Sequence, residues 1–321
     1  MTAVAGGTLG DRPAGPAAVA APLAVVIVTY NSADVLPGLL DSLEAGLAGA
    51  GPFAVIVVDN DSRDDSAALA EAHPLGVQVI RSGRNGGYAA GINLAAVGLP
   101  AGADMLILNP DIRLCPGAAR KLMDCAANEW VGVAAPMILN VDGSIASSLR
   151  REPTLATTWI QAFLGPSLAG RLGVGDMIAN RKTYVRAHAV DWATGAVLLV
   201  TARARERVGA WDESFFLYSE EVEYQRRVRS SGLYVMYAPD SHVTHIGGDY
   251  MQSPALTSVM TSNQIRYYAR YHGPLATALF RGALIAFGLL RAWRSRTHRA
   301  VLRVAVSPLR PARDYMLQAK S

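Results

Sequence analysis

Two stretches decide the fold, Val57-Val58-Asp59-Asn60-Asp61-Ser62 and Leu106-Ile107-Leu108-Asn109-Pro110-Asp111. In each, an apolar run without alternation reaches a carboxylate within three residues. A run apolar at every position reads as a strand covered on both faces, the pattern of a parallel sheet. The runs Leu23 to Val28, Ala54 to Val58 and Met105 to Leu108 have this character, Val77 to Ile80 shares it apart from Gln78, and helix-like stretches at 33–48, 65–72 and 87–97 lie between them. Strand, helix, strand at these spacings predicts βαβ units and an α/β sheet. Ligands of such sheets bind beyond the carboxyl ends of the strands, where these acids fall.

Working outward, the second half is less regular. Residues 150–190 are of mixed character; Ala196 to Val200 and 233–237 read as strands, and 219–231, 255–271 and 275–300 as helices. Residues 1–22, rich in Ala, Gly and Pro, read as a flexible tail. The apolar run from Ala17 to Val28 follows Arg12, but Pro22 interrupts it and no convincing cleavage site follows, so it does not read as a secretion signal. The chain of 321 residues is 51% hydrophobic and 17% charged, enough for one large core. Cys115 and Cys125 show neither metal-site spacing nor a disulfide framework, and read as reduced thiols. Net charge is +4, yet the residues after 290 carry seven Arg and one Lys against one Asp, leaving the body acidic. That asymmetry fits an anionic membrane surface and excludes a nucleic-acid partner, which would ask for basic residues over a recognition surface.

Strand one ends in Thr29-Tyr30-Asn31 without the glycine fingerprint of a dinucleotide site, and no P-loop is present. Between the two opening stretches lies Arg84-Asn85-Gly86-Gly87-Tyr88-Ala89-Ala90-Gly91-Ile92-Asn93, a glycine-rich helix start whose N–H groups suit an anion. Taken singly, Asp59 and Asp61 serve equally as turn and cap residues, and the glycines as a tight turn.

Taken in order, these segments with Trp192-Ala193-Thr194-Gly195-Ala196 and Phe215-Phe216-Leu217-Tyr218-Ser219-Glu220-Glu221-Val222-Glu223 resemble the GT-A fold glycosyltransferases of family 2, from about Val25 to His245. Within it the chain is most similar to rhamnosyltransferases that build on polyprenyl-diphosphate-linked sugars in actinobacterial cell-wall assembly. Ala135-Pro136-Met137-Ile138 through Asp142-Gly143-Ser144 and Arg150-Arg151 before Pro153 carry that likeness. The resemblance implies a Rossmann-like, mostly parallel sheet flanked by helices over residues 23–250, followed by a basic helical extension, 251–321. It implies that Asp59 contacts the nucleotide base, with Thr29, Tyr30 and Asn31 nearby. Asn85, Gly87 and Asn93 would line the nucleoside-diphosphate cleft, with Arg84 available to a phosphate. Asp111 corresponds to the last carboxylate of the family's metal motif, whose first position here is Asn109, and His245 aligns with a histidine that completes the site. Read alone, His245 serves equally as a structural histidine, and His242 is read as one. The cofactor is then Mg²⁺ or Mn²⁺, since hard oxygen ligands select such ions.

Inversion by single displacement needs a carboxylate that takes the acceptor hydroxyl proton. Glu221 stands where the family has Asp and is the expected base, with Glu220 second and Glu223 a supporting acid paired with Arg227. The alternative is that the three glutamates only stabilise a helix start capped by Ser219. Gly195 gives a sugar ring room beside backbone, or else marks a bulge; Trp211-Asp212-Glu213 falls on the acceptor side. The stretch 275–290 is short for a membrane span and is followed by Arg291, Trp293, Arg294, Arg296 and Arg299. This suits a helix lying in the membrane interface, or one docked on its own domain.

The expected activity is transfer of L-rhamnose from its dTDP form, with inversion, to a lipid-linked saccharide, by a cytoplasmic protein peripheral to the inner face of the plasma membrane. The rivals are a UDP-sugar donor such as UDP-galactofuranose, a sugar-1-phosphate nucleotidyltransferase, and a non-catalytic carbohydrate-binding scaffold.

Overall fold

The computed structural model describes residues 22–247 and 253–317. The expected flexible tail lies, apart from Pro22, outside the described residues. The first half runs β1 (Leu23–Thr29), α1 (Leu36–Gly46), β2 (Phe53–Asp59), α2 (Ser66–Glu71), β3 (Gln78–Arg81), α3 (Tyr88–Ala96), β4 (Asp104–Leu108), β5 (Ile112–Leu114), α4 (Ala118–Ala126) and β6 (Val131–Leu139). The second runs β7 (Leu149–Arg150), α5 (Leu155–Leu164), α6 (Pro166–Arg171), β8 (His188–Val190), β9 (Trp192–Ala193), β10 (Val197–Val200), α7 (Ala202–Val208), α8 (Glu220–Ser230) and β11 (Tyr234–His245). Four helices close the chain: α9 (Pro254–Tyr271), α10 (Pro274–Arg291), α11 (Arg296–Val306) and α12 (Ala312–Leu317).

One sheet of nine strands has the order β3-β2-β1-β4-β10-β6-β11-β5, with β8 added against β11. The pairs among β1 to β4 are parallel, β10 is antiparallel to both neighbours, and β11 is again parallel to β6. The sheet is therefore mostly parallel with an inserted antiparallel strand. Strand β1 shows why both faces must be covered: all seven residues are buried. Val25 and Ile27 pack with Leu36, Leu39, Leu40 and Leu43 of α1, while Val26 and Val28 pack with Ala89 and Ile92 of α3.

The chain leaves β1 toward β2 and β3 on one side and returns to β4 on the other, so the strand order reverses at β1. A crevice opens at such a switch point beyond the strand ends. The register aligns Thr29 with Asp59, Asp59 with Arg81, and Ile27 with Leu108, so the ends of the four strands share one edge.

One strand lies outside the sequence reading, and one helix differs from it. Strand β6 is central, although Pro136 argues against a strand there; the proline is tolerated because β10 pairs only as far as Ala134, and β11 shifts register just after Ala238, the partner of Pro136. The helix expected over 275–300 is two helices. It breaks at Ala292, Ser295 caps α11 by accepting the His298 N–H at 3.2 Å, and α11 folds back on α10 so closely that a Cβ at Gly288 would lie 2.7 Å from Leu302 Cβ. Helix α10 is long and apolar enough to cross a membrane by length and composition. Here it packs on α5, α9 and α11.

Candidate active site

On one side of the crevice, Thr29 and Asp59 lie side by side and buried at the strand ends. Asp59 Oδ2 accepts the Ser62 N–H at 3.2 Å, whereas Asp59 Oδ1 and Thr29 Oγ1 are buried with no partner in the protein. An unsatisfied buried polar atom costs about 1–3 kcal/mol, so two together mark a place where a ligand supplies the missing bonds. Tyr30 is exposed, and Asn31 clasps the neighbouring turn, donating its N–H to Ser62 Oγ and accepting the Arg63 N–H on its side chain. Arg84 is exposed at the rim.

The glycine-rich segment works differently from the expectation. Asn85 Oδ1 accepts the Gly87 N–H, and Tyr88 N donates to Phe216 O at 2.8 Å, so these amides at the start of α3 are engaged by the protein instead of waiting for an anion. Gly87 is required because its φ is +91° and a Cβ would lie 2.1 Å from Phe216 O. Asn60 Nδ2 donates to Gly87 O at 2.9 Å and joins this loop to the end of β2. Asn93 is a brace, not a cleft-facing group. Its amide binds both backbone groups of Trp211 and reaches Glu213 Oε1. Trp211 itself is buried and stacks on Tyr224 at 4.3 Å, which removes its ring from any acceptor.

Past β4, the Asn109 N–H donates to Ala196 O at 2.9 Å, which sets the carboxylate turn against the Gly195 segment. Asp111 Oδ2 lies 2.9 Å from His245 Nε2, and Asp111 Oδ1 is buried without a partner. A Cβ at Gly247 would fall 2.0 Å from Asp111 Oδ2, so only glycine leaves this oxygen its space. His242 lies on β11 opposite Met137 of β6, in the strand pairing.

Helix α8 carries the glutamates. Phe216, Tyr218 and Ser219 take left-handed φ of 64°, 67° and 73° ahead of it. With Asn31 and Asp61 they are all the non-glycine residues of that kind among the described residues, and all five border this crevice. Such strain clusters at functional sites. Ser219 makes no capping bond, so the purely capping explanation of the glutamates loses its cap. Asn263 of α9 holds the strained loop, its Nδ2 donating to Phe215 O at 2.6 Å, Leu217 O at 2.9 Å and Tyr218 O at 3.1 Å. Gln225 ties α8 to β9, bonding both backbone groups of Ala193 and Glu221 O. Glu223 is paired with Arg227 as expected and also accepts from Tyr271. Glu152 fastens α8 to α9 through Arg226, Arg229 and Tyr267. Asn60, Glu152, Gln225, Asn263 and Tyr88 escaped the sequence reading because a lone amide, acid or phenol on a helix or turn carries no signal of the loop it will support.

Gly195 sits against the base helix: a Cβ there would be 3.2 Å from Glu221 Cβ, and Gly195 O accepts from Tyr88 Oη at 3.1 Å. Burial, then the charges of Glu220, Glu221 and Asp111, push the Tyr88 phenol well up. Burial also raises both Glu220 and Glu221. Glu220, 2% exposed with Oε2 unpartnered, is pushed further by its neighbour's charge, while backbone amides of the helix start and Arg150 offset the rise at Glu221. The two carboxyls titrate as a pair, and both hold their protons above the usual carboxylate range.

The model of the family described as glycosyl transferase family 2 matches residues 24–161. Over 235 residues the chain is 32% identical to the N-acetylglucosaminyl-diphospho-decaprenol L-rhamnosyltransferase of Mycobacterium tuberculosis, covering 70% of this chain and 75% of the relative. The chain belongs to glycosyl transferase family 2. This glycosyltransferase is also 28% identical over 242 residues to the galactofuranosyltransferase GlfT1 of the same organism, covering 73% of each. Among solved structures it is similar to the mannosyltransferase PcManGT of Pyrobaculum calidifontis, in complex with GDP-mannose and Mn²⁺, at a TM-score of 0.55 and 16% identity, with 97% of this chain and 84% of that chain covered. It is similar also to GalNAc-T7 with UDP, GalNAc and Mn²⁺, at a TM-score of 0.57 and 14% identity, with 94% of this chain and 56% of that chain covered. These likenesses establish the GT-A fold, whose sheet topology the glycosyltransferase shares.

The residues present fit a divalent cation. Asp111 offers an unpartnered buried oxygen, His245 an imidazole beside it, and no cluster of three or more metal-binding side chains occurs among the described residues. A site of one carboxylate and one imidazole leaves positions for diphosphate oxygens, as Mg²⁺-type ions bound with substrate phosphates require.

Proposed function

We propose that this glycosyltransferase moves L-rhamnose from dTDP-rhamnose, with inversion, to a hydroxyl of a polyprenyl-diphosphate-linked saccharide. The 32% identical relative, an N-acetylglucosaminyl-diphospho-decaprenol L-rhamnosyltransferase, supports the donor sugar and the acceptor class. The observation that supports the chemistry is the junction at Gly195 and Ala196, where Glu221 packs on Gly195, Tyr88 Oη donates to Gly195 O and the Asn109 N–H of the Asp111 turn donates to Ala196 O, with Asp59 one loop away.

In this reading Thr29 and Asp59 take the base through their open polar atoms, with Tyr30 and Asn31 beside them and Arg84 at the phosphate rim. Asn85 and Gly87 shape the cleft wall, and Gly195 brings the Glu221 side chain close to backbone. Asp111 and His245, with Asn109 adjacent, would hold Mg²⁺ or Mn²⁺. When bound, the cation stabilises charge on the departing diphosphate. Glu221 removes the acceptor hydroxyl proton as that oxygen attacks the anomeric carbon from the face opposite the leaving group. Glu220, protonated, donates a hydrogen bond within the site, and Glu223 with Arg227 keeps the helix in register. The catalytic unit is residues 23–250 and the helical extension 251–321, a boundary that itself lies outside the described residues.

The extension rests on the cytoplasmic membrane surface from the inner side, peripherally. Exposed Leu289, Leu290 and Trp293 beside Arg294, Arg296 and Arg299 support this, since apolar residues flanked by Arg and Trp suit an interface. Leu289→Asp with Trp293→Asp should abolish sedimentation with anionic vesicles; unchanged sedimentation would remove the membrane role.

The second reading keeps the site and uses a UDP-sugar, on the strength of the likeness to a galactofuranosyltransferase. Thermal shifts with dTDP and UDP, each with Mn²⁺, separate the two. A rise with UDP and none with dTDP would remove rhamnosyl transfer.

A further inference from the structure

One cavity is larger than the chemistry needs. A volume of about 300 Å³ begins at Trp192, Ser219 and Glu221 and is walled by α5, α9, α10 and α11. Phe280, Leu284, Phe287 and Val301 form its apolar side, and Thr158, Gln161 and Gln264 give it a few polar points. Nothing in proton abstraction or diphosphate departure uses α10 or α11. A ligand that starts at the base and continues among aromatic and aliphatic side chains has a polar head and an apolar body.

Two observations narrow the occupant. Lining residues Gln161, Ala162 and Phe287 are followed in the chain by Phe163, Leu164, Leu289 and Leu290, all exposed, and Arg291 locks the two rims together by donating to Ala162 O and Phe163 O. Along α5 and α10 the lining residues thus adjoin in the chain the apolar, Arg-flanked rim proposed to meet the membrane. The second is charge: His298 lines the wall, and Arg291 and Arg294 lie near enough that, after burial, their charges hold its imidazole below the usual range. Arg291 and Arg294 thus stand close behind this wall, while Asp176 and Glu221 line the space itself.

We propose that this cavity receives the isoprenoid segment next to the diphosphate of the lipid-linked acceptor, with α10 and α11 as its apolar wall and the diphosphate on the Arg294 and His298 side. The inference rests on the lipid-linked acceptor reading, but its test needs no sugar transfer.

Farnesyl diphosphate is titrated into the full chain by calorimetry, with inorganic diphosphate as reference. Farnesyl diphosphate should bind at least about tenfold more tightly, and affinity should rise through geranyl, farnesyl and geranylgeranyl chains as apolar carbon is buried. Leu284→Trp and Met260→Trp fill the space from two helices. Each should weaken farnesyl diphosphate by about tenfold or more while leaving inorganic diphosphate and the thermal midpoint unchanged. Should either variant unfold, the chain-length series on the unaltered protein decides. Farnesyl diphosphate bound no better than inorganic diphosphate, or bound equally by both folded variants, would overturn the proposal. Equal binding of dodecyl phosphate would overturn it too, marking a generic acyl groove. Absent rhamnosyl transfer with prenyl diphosphate binding intact would instead fault the donor assignment.

Discussion

Asn263→Ala tests how the strained loop before α8 is held. Three residues there, Phe216, Tyr218 and Ser219, are left-handed without being glycine, at about 1–2 kcal/mol each. The loop thus carries roughly 3–6 kcal/mol that its surroundings must offset. Asn263 is fully buried and its amide bonds three loop carbonyls. At about 0.5–1.5 kcal/mol per bond, plus a small cavity, removing it should cost about 2–4 kcal/mol. A midpoint fall of roughly 4–12 °C follows, measured by calorimetry. Because the loop delivers Glu221 to the cleft, single-turnover transfer should slow by about a hundredfold, the effect of displacing a catalytic group by an ångström or so. Hydrogen exchange at residues 215–221 should quicken. Asn263→Asp, with the same shape and fewer donors, should behave like the alanine variant. A midpoint within a degree or so of the parent, with unchanged exchange, would refute this account of the loop.

Gly87→Ala places a methyl 2.1 Å from Phe216 O at φ +91°, so it should lower stability by about 3 kcal/mol or more, read from denaturant midpoints, and should depress turnover with it. Glu220 has a raised pKa in the fold, so as pH climbs past the ordinary glutamate range the unfolded chain releases its proton first and the fold loses stability. Glu220→Gln should therefore stabilise the protein at pH about 8 and not at pH about 4, read from paired melting curves. Asp111→Asn should abolish the Mn²⁺-dependent part of nucleoside diphosphate binding, measured by calorimetry, and chelation should do the same to the unaltered protein.

Much of the fold is legible because β1, β2 and β4 carry apolar runs without alternation, the form of a strand buried on both faces, whereas the edge strand β3 is partly buried and carries only Val79 and Ile80 between Gln78 and Arg81. The acids at their ends were legible for the same reason: a carboxylate closing such a run has nowhere to go but the crevice. The Glu223–Arg227 pair followed from helical spacing alone. Long-range support was not legible. Asn263 reaches a loop 48 residues away and Glu152 reaches Arg226 across 74, and neither separation leaves a local pattern. Gly87 and Gly195 were noted as glycines for ligand access, whereas the structure gives each a packing partner, Phe216 and Glu221. The break at Ala292 hid because residues 289–300 run from apolar into basic without glycine or proline.

Glu221→Gln is the most direct test of the central claim, that an ionised glutamate faces a diphosphate and its cation across one cleft. Transfer and nucleoside diphosphate binding are measured on the same preparation with Mn²⁺. Turnover should fall by about a thousandfold or more while diphosphate affinity stays within about twofold of the parent. Turnover near the parent level would contradict the claim, and so would loss of diphosphate binding in step with activity.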